Sequence, residues 1–354
     1  MRDGVGTDAT IPRDTYLAEA LRLAKDEIAR RDALLSRLPD EVIDAHVHTC
    51  RKQDVLSVPE PIRRHVMSTF PWFDLEDSAA VDRVLFGGRT VRRLRFPHVF
   101  KGVRSAAANE YLQRCAPSID RLAWFGQADD LPGTSAGLHQ SRTVALKMYH
   151  RAQWPPAQTI YETFPPEILE AAQEQGLPIV LHLPTPLPAS SSELDRLVAD
   201  FPRLPIVLAH LGVVEKYTPG LEDVYGRLAR YETIWMDTAM ITDRRVIEAA
   251  LSALGPERIL FGSDEPLSLI RAYPVVAADG TPRLVSHFPY HWTDTDEKDR
   301  RASQPGRAPL LLWLQLEALL DMLPDDASVV RVFGANAGEL YRFGAVPSST
   351  GTAD

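Results

Sequence analysis

Four histidines and an aspartate stand at the same end of short apolar runs: His46 and His48 in VIDAHVH (42–48), His182 in PIVLHL (178–183), His210 in PIVLAHL (205–211) and Asp264 in RILFGSD (258–264). Imidazole and carboxylate are the donors that zinc and similar first-row ions take. In a strand, side chains alternate faces with period two, so His46 and His48 point the same way and can grip one ion together. A lone strand histidine is ordinarily a satisfied core residue. Five such groups at equivalent ends have no packing explanation, because unpaired buried charge is costly. Lys147 in VALKMY (144–149) adds a cation, and Asp44 a second carboxylate, read as a strand-end group or one that orients a ligand rather than as a ligand itself.

The elements that must position these groups are legible as eight apolar runs. Besides 42–48, 144–149, 178–183, 205–211 and 258–264, they are VDRVLFGG (81–88), RLAWFGQA (121–128) and TIWMDTA (233–239). Val-, Ile- and Leu-rich runs without strict polar alternation suit parallel strands buried on both faces. Helical stretches fall between them, for instance PEILEAAQEQG (166–176) and VIEAALSALG (246–255). The alternation predicts an α/β fold, a (β/α)8 barrel over residues 39–345, with its site at the C-terminal ends of the strands. Ahead of it, Leu17, Leu21, Ala24, Ile28 and Leu35 recur at helical spacing and predict a helix over 14–38 within an N-terminal extension, 1–38. This helix is expected to pack across the lower mouth of the barrel, with a dimer contact as the alternative. Residues 346–354 have the composition of a flexible tail.

Two intervals, 49–80 and 266–307, exceed ordinary connections, and in such a barrel both would be long loops at the C-terminal face. The second carries His287, Phe288, Tyr290, His291 and Trp292. Aromatic residues above a metal can exclude water, so a partial lid lined by Tyr290, His291 or Trp292 is expected, with a subunit contact in a homodimer as the alternative. His98, Lys101 and Arg104 lie in a basic stretch where they can meet an acidic substrate or remain a solvated loop. Tyr149 and His150 follow Lys147 and are candidates for the pocket wall.

The 354 residues suit one large barrel with insertions, and the 45% hydrophobic and 25% charged content is that of an ordinary globular protein. A net charge of -9, with no basic face, argues against nucleic acid and leaves a small-molecule substrate as the expected partner. Two cysteines, Cys50 and Cys115, are too few for a disulfide scaffold. No apolar stretch of about 18 residues is present, so a cytoplasmic protein without membrane contact is expected.

Seven motifs in order carry a resemblance: IDAHVH (43–48), AANEYL (107–112), ALKMYH (145–150), IVLHLP (179–184), IVLAHLG (206–212), ILFGSDEP (259–266) and VFGANAGELYRF (332–343). Together they resemble the amidohydrolase superfamily, and more narrowly the amidohydrolase-related group that includes aminocarboxymuconate-semialdehyde decarboxylase, resorcylate decarboxylases and dicarboxylate lactonases. The resemblance implies His46, His48, His182 and Asp264 as ligands of one divalent metal, zinc first and manganese or another ion as the alternative. It implies His210 as an acid/base or a substrate-polarising group, with Asp264 the second catalytic residue. For Lys147 it implies either a bridge to a second metal, as a carbamate, or a place that binds a substrate carboxylate or supports the ligands from behind; a lysine that snorkels or pairs with a carboxylate is the commoner outcome.

The function expected is hydrolysis of an amide, lactone or related C–N or C–O bond by a metal-activated water. Non-oxidative decarboxylation of an aromatic or enoic acid is the alternative reaction on the same ligands. A non-catalytic binding protein on a degenerate barrel is the alternative of another class, and it would be expected to have lost ligands, whereas all five are in place.

Overall fold

A computed structural model of the chain describes residues 13–58, 69–151, 155–276, 282–286 and 308–344. Eight parallel strands follow one another around a barrel in chain order: β1 (Glu41–His48), β2 (Thr90–Phe96), β3 (Arg121–Phe125), β4 (Thr143–Tyr149), β5 (Ile179–His182), β6 (Ile206–Leu208), β7 (Ile234–Asp237) and β8 (Ile259–Leu260). The seam between β8 and β1 is closed by backbone hydrogen bonds from Ala45 to Phe261 (2.8 Å), Asp264 to His46 (2.9 Å) and His48 to Glu265 (2.8 Å). The chain is thus a (β/α)8 barrel of the TIM type. Ile179, Val180 and Leu181 of β5 and all of β6 have no exposed surface, as expected of strands covered inside by the barrel core and outside by helices.

Helices α1 (Arg13–Leu21) and α2 (Lys25–Leu35) precede the barrel, and α3 (Leu75–Leu85), α4 (Ser105–Cys115), α5 (Leu131–Gly137), α6 (Ile160–Thr163), α7 (Pro166–Gln175), α8 (Leu187–Asp200), α9 (Leu221–Leu228) and α10 (Arg244–Leu254) connect its strands. After β8 comes an antiparallel hairpin, β9 (Ala272–Val276) with β10 (Pro282–Ser286), and then α11 (Leu311–Met322). Local chemistry sets the ends: Asp74 caps α3 by accepting from the backbone N–H groups of Glu76 and Asp77, and Gly176 ends α7 in the left-handed conformation at φ 61°. Among the described residues no helix is long and apolar enough to cross a membrane.

Three expectations need correcting. The second strand is not 81–88, which is the end of α3 and the turn after it, but 90–96, TVRRLRF. Its three arginines read as a solvated segment, yet all are buried. Arg93 pairs with Asp82 and Glu265, Arg95 with Asp120, and Arg92 with Glu41, and these carboxylates replace the water the guanidinium groups lose.

The single helix 14–38 is two, broken at residues 22–24, where Glu27 reaches back to accept from the backbone N–H of Ala24. Nor do its described contacts lie across the lower mouth. Helix α2 runs along the barrel wall beside α11, through Arg30–Glu317 and Arg37–Asp321. Helix α1 reaches the loops that leave β1 and β8: Arg13 pairs with Asp77, the Tyr16 ring meets that of Phe70 edge-on at 5.4 Å, and the Tyr16 hydroxyl accepts from the backbone N–H of Arg271. Residues 287–307, including Tyr290, His291 and Trp292, lie outside the described residues, as does the tail from 346.

Candidate metal centre

Strand β1 delivers two imidazoles to the barrel mouth, and each is held through the same ring nitrogen. His46 Nδ1 lies 2.8 Å from Asp237 Oδ2, and His48 Nδ1 lies 3.2 Å from the Pro97 carbonyl. Both partners only accept, so the proton sits on Nδ1 and the lone pair on Nε2. Those two Nε2 atoms converge on Asp264 Oδ1, His46 at 3.3 Å and His48 at 3.2 Å. The ligand atoms of His46, His48 and Asp264 all lie within 4.8 Å of one another, and all three side chains are buried.

His46 Nε2 and Asp264 Oδ1 have no hydrogen-bond partner despite full burial. Orphaned lone pairs aimed at one another are costly unless a cation completes them, and two imidazoles with a carboxylate are a donor set for a divalent ion. The electrostatics agree. Burial lowers the His46 imidazolium to about 4 and also lowers that of His48, leaving both rings neutral at pH 7. Burial alone would raise the Asp264 carboxyl, but the imidazoles of His46, His48 and His210 more than offset it and hold it well below the usual carboxylate range.

His210 stands next in the arc, its ring centre 4.9 Å from that of His46 and 4.9 Å from that of His182. Its Nδ1 donates to the Ala239 carbonyl at 2.9 Å, which leaves Nε2 as the free nitrogen. It opens a turn in which His210, Leu211, Gly212 and Val213 all have positive φ (55°, 49°, 83° and 60°). Backbone of that kind is strained for residues other than glycine and persists where the surroundings over-determine it. His182 lies beside His210 rather than within the close three-residue group, with the Tyr149 ring 4.5 Å away on one side and His150 stacked on it at 5.2 Å. Burial and then the neighbouring imidazoles push its pKa well down, so it too is a neutral lone-pair donor.

Lys147 is fully buried, its Nζ is without a hydrogen-bond partner, and it lies 4.8 Å from the centre of the Phe96 ring, against which His46 and His48 also pack edge-on. His98 is buried beside His48, 5.7 Å between ring centres, but its Nε2 meets the Phe70 carbonyl at 2.9 Å. Arg104 is half exposed and staples the loop after β1, donating to the Gln53 carbonyl at 2.7 Å and lying 3.6 Å from Asp54.

Of the two roles expected for it, Asp44 takes the strand-end one: it accepts from the backbone N–H groups of His46 (3.2 Å) and Ser263 (2.8 Å) and so sews β1 to the end of β8. The ring of His46 is met instead by Asp237, which the sequence reading passed over. The available signal was a lone acid at the end of an apolar run, the same signal that marked Asp264.

The fold is a barrel with a candidate metal-binding cluster at its mouth, and the model of the Amidohydrolase family matches residues 43–343, so the chain belongs to that family. Solved structures of similar fold include an amidohydrolase from Burkholderia multivorans with bound zinc (13% identity, TM-score 0.55, covering 85% of this chain and 99% of that one). A putative 2-pyrone-4,6-dicarboxylic acid hydrolase from Pseudomonas putida matches at 16% identity and TM-score 0.54, covering 87% and 100%. A dihydroxybenzoic acid decarboxylase from Polaromonas sp. JS666, with bound manganese and 2-nitroresorcinol, matches at 14% identity and TM-score 0.53, covering 86% and 97%. At these identities the likeness is one of fold. Among curated proteins none matches.

Proposed function

We propose that the chain is a divalent-metal-dependent hydrolase acting on an amide, lactone or related C–N or C–O bond of a small molecule. The observation that carries this reading is the convergence of His46 Nε2, His48 Nε2 and Asp264 Oδ1 in a buried cluster where His46 Nε2 and Asp264 Oδ1 lack hydrogen-bond partners. His182 is the fourth ligand in this reading. Zinc suits the imidazole-rich set, and the zinc and manganese bound in two structures of the same fold support a divalent ion. When bound, such a cation supplies Lewis acidity toward a substrate oxygen and makes water a stronger acid.

The chain's own groups then divide the remaining work. Asp264, held as a carboxylate, would take a proton from the attacking water and return it to the leaving group. His210, its Nδ1–H spent on Ala239, offers Nε2 to the pocket as acid/base. Lys147 offers a buried ammonium to an anionic oxygen of the substrate. That cation also favours a second reading, non-oxidative decarboxylation, in which it would hold the carboxylate that is lost.

Metal analysis of the purified protein, with turnover of a panel of lactones, amides and aromatic acids, tests both. About one equivalent of a divalent ion per chain is expected, since a catalytic site of this type takes one ion and keeps an open position. His182→Ala should weaken metal retention, whereas His210→Ala should keep the metal and lose about 100-fold or more in turnover. A protein that neither contains nor takes up metal overturns the proposal, and CO2 release without hydrolysis selects the second reading.

A further inference from the structure

Asp237 ends β7 with no exposed surface, and each of its oxygens has a different client. Oδ2 is 2.8 Å from His46 Nδ1, and Oδ1 accepts from the backbone N–H of His210 at 2.9 Å and from that of Ala239 at 3.1 Å. Ala239 in turn supplies the carbonyl that fixes the His210 ring through Nδ1. One carboxylate therefore holds a ring on β1 and anchors both ends of the contact that aims a second ring from the strained turn after β6.

We propose that Asp237 is a positioning residue that sets the His46 tautomer, so that Nε2 faces the metal position, and that holds the His210 turn in register with it. The inference rests on the metal reading above but makes a claim of its own, readable without metal. A carboxylate facing an imidazole nitrogen accepts only, so the proton must stay on Nδ1 and the opposite lone pair is kept for a cation. Its other oxygen meets two converging N–H groups, an arrangement only an acceptor satisfies.

Asp237→Asn separates the two duties. The amide oxygen must stay toward the two backbone N–H donors, since the reverse orientation would set donor against donor twice. The amide NH2 then faces His46 Nδ1, which can answer only by accepting, and the ring proton moves to Nε2. Nitrogen-15 shifts of His46 in the metal-free protein should show Nδ1–H in the wild type and Nε2–H in Asp237→Asn. Competition of a chromophoric chelator for zinc should show the variant binding about 10- to 100-fold more weakly. The thermal midpoint should change little, a contrast that a merely structural carboxylate would not produce. Wild-type protein with His46 protonated on Nε2 overturns the inference whether or not the variant folds, as does a variant of unchanged tautomer or unchanged zinc affinity. Wild-type protein that shows Nδ1–H yet takes up no zinc supports the tautomer assignment and overturns the metal reading instead.

Discussion

Lys147 is a cation with little support, since burial withdraws its water and no hydrogen bond replaces it. Burial lowers its pKa from 10.5 to about 8, even though Asp237 and Asp264 pull the other way. Between those two values the unfolded chain carries a proton that the folded protein has released, so stability rises with pH across about 8 to 10.5. Below that window the folded state bears the full penalty, about 3 kcal/mol for a shift of this size. Lys147→Met in metal-free protein should therefore be the more stable form at pH 7 and lose this part of the pH slope. Urea unfolding at pH 7 and pH 10 checks it; parallel curves for the two proteins would show that Lys147 is not the group responsible. At this scale the site was readable where types repeat with a period: His46 and His48 share a face because strands alternate. Asp237 repeats with nothing, and its value comes from a partner 191 residues away in the chain.

At the scale of elements, β2 shows why hydrophobic patterning found seven strands correctly and misplaced one. Patterning assumes that charge means solvent, and Arg93 breaks the assumption because Asp82 of α3 and Glu265 beside Asp264 meet it indoors. Arg93→Met should strand both carboxylates and cost about 3–5 kcal/mol, seen as a lower urea midpoint, because removing one partner leaves uncompensated buried charge. A change below about 1 kcal/mol would mean that the carboxylates find other partners. The turn after β6 makes a second element-scale case. Gly212 has φ 83°, and a Cβ there would lie 2.8 Å from the Cβ of Leu187 in α8. Gly212→Ala should cost about 1–3 kcal/mol from strain and crowding, and displace His210 enough to depress turnover more than metal content. Denaturation and metal analysis on the same sample separate these effects.

Across the whole molecule, the N-terminal segment ties the barrel wall to the loops at the C-terminal ends of the strands. Arg271 is buried against Glu27 of α2, donates to the carbonyls of Glu19, Ala20 and Ala308, and so joins the N-terminal helices to both ends of the excursion after β8. Its neighbours reinforce the clasp: the backbone N–H of Ala272 donates to Pro309 (3.0 Å) and that of Leu311 to Ile270 (2.8 Å). Glu27→Ala should loosen this clasp by about 3–5 kcal/mol, because the Arg271 guanidinium stays buried with one charge fewer beside it. Hydrogen exchange should quicken at 270–276, 282–286 and 308–311 and leave β4 to β6 protected. Uniform acceleration across the barrel would instead make Glu27 part of the global fold.

By itself the sequence determined what depends on neighbours along the chain. The apolar runs specify buried parallel strands, period two puts His46 and His48 on one face, and the order of motifs leads to the family. The tertiary structure alone decided which distant groups meet. Closure of the barrel sets β8 beside β1 and brings Asp264 to both imidazoles, and β7 carries Asp237 to His46. It also shelters the arginines of β2, and it carries α1 up to the loops at the C-terminal ends of the strands. The physical reason is one of range. Strand and helix periods act over a few residues, whereas the pairing of buried charges is settled only when closure removes the water and leaves each ion the partners that geometry supplies.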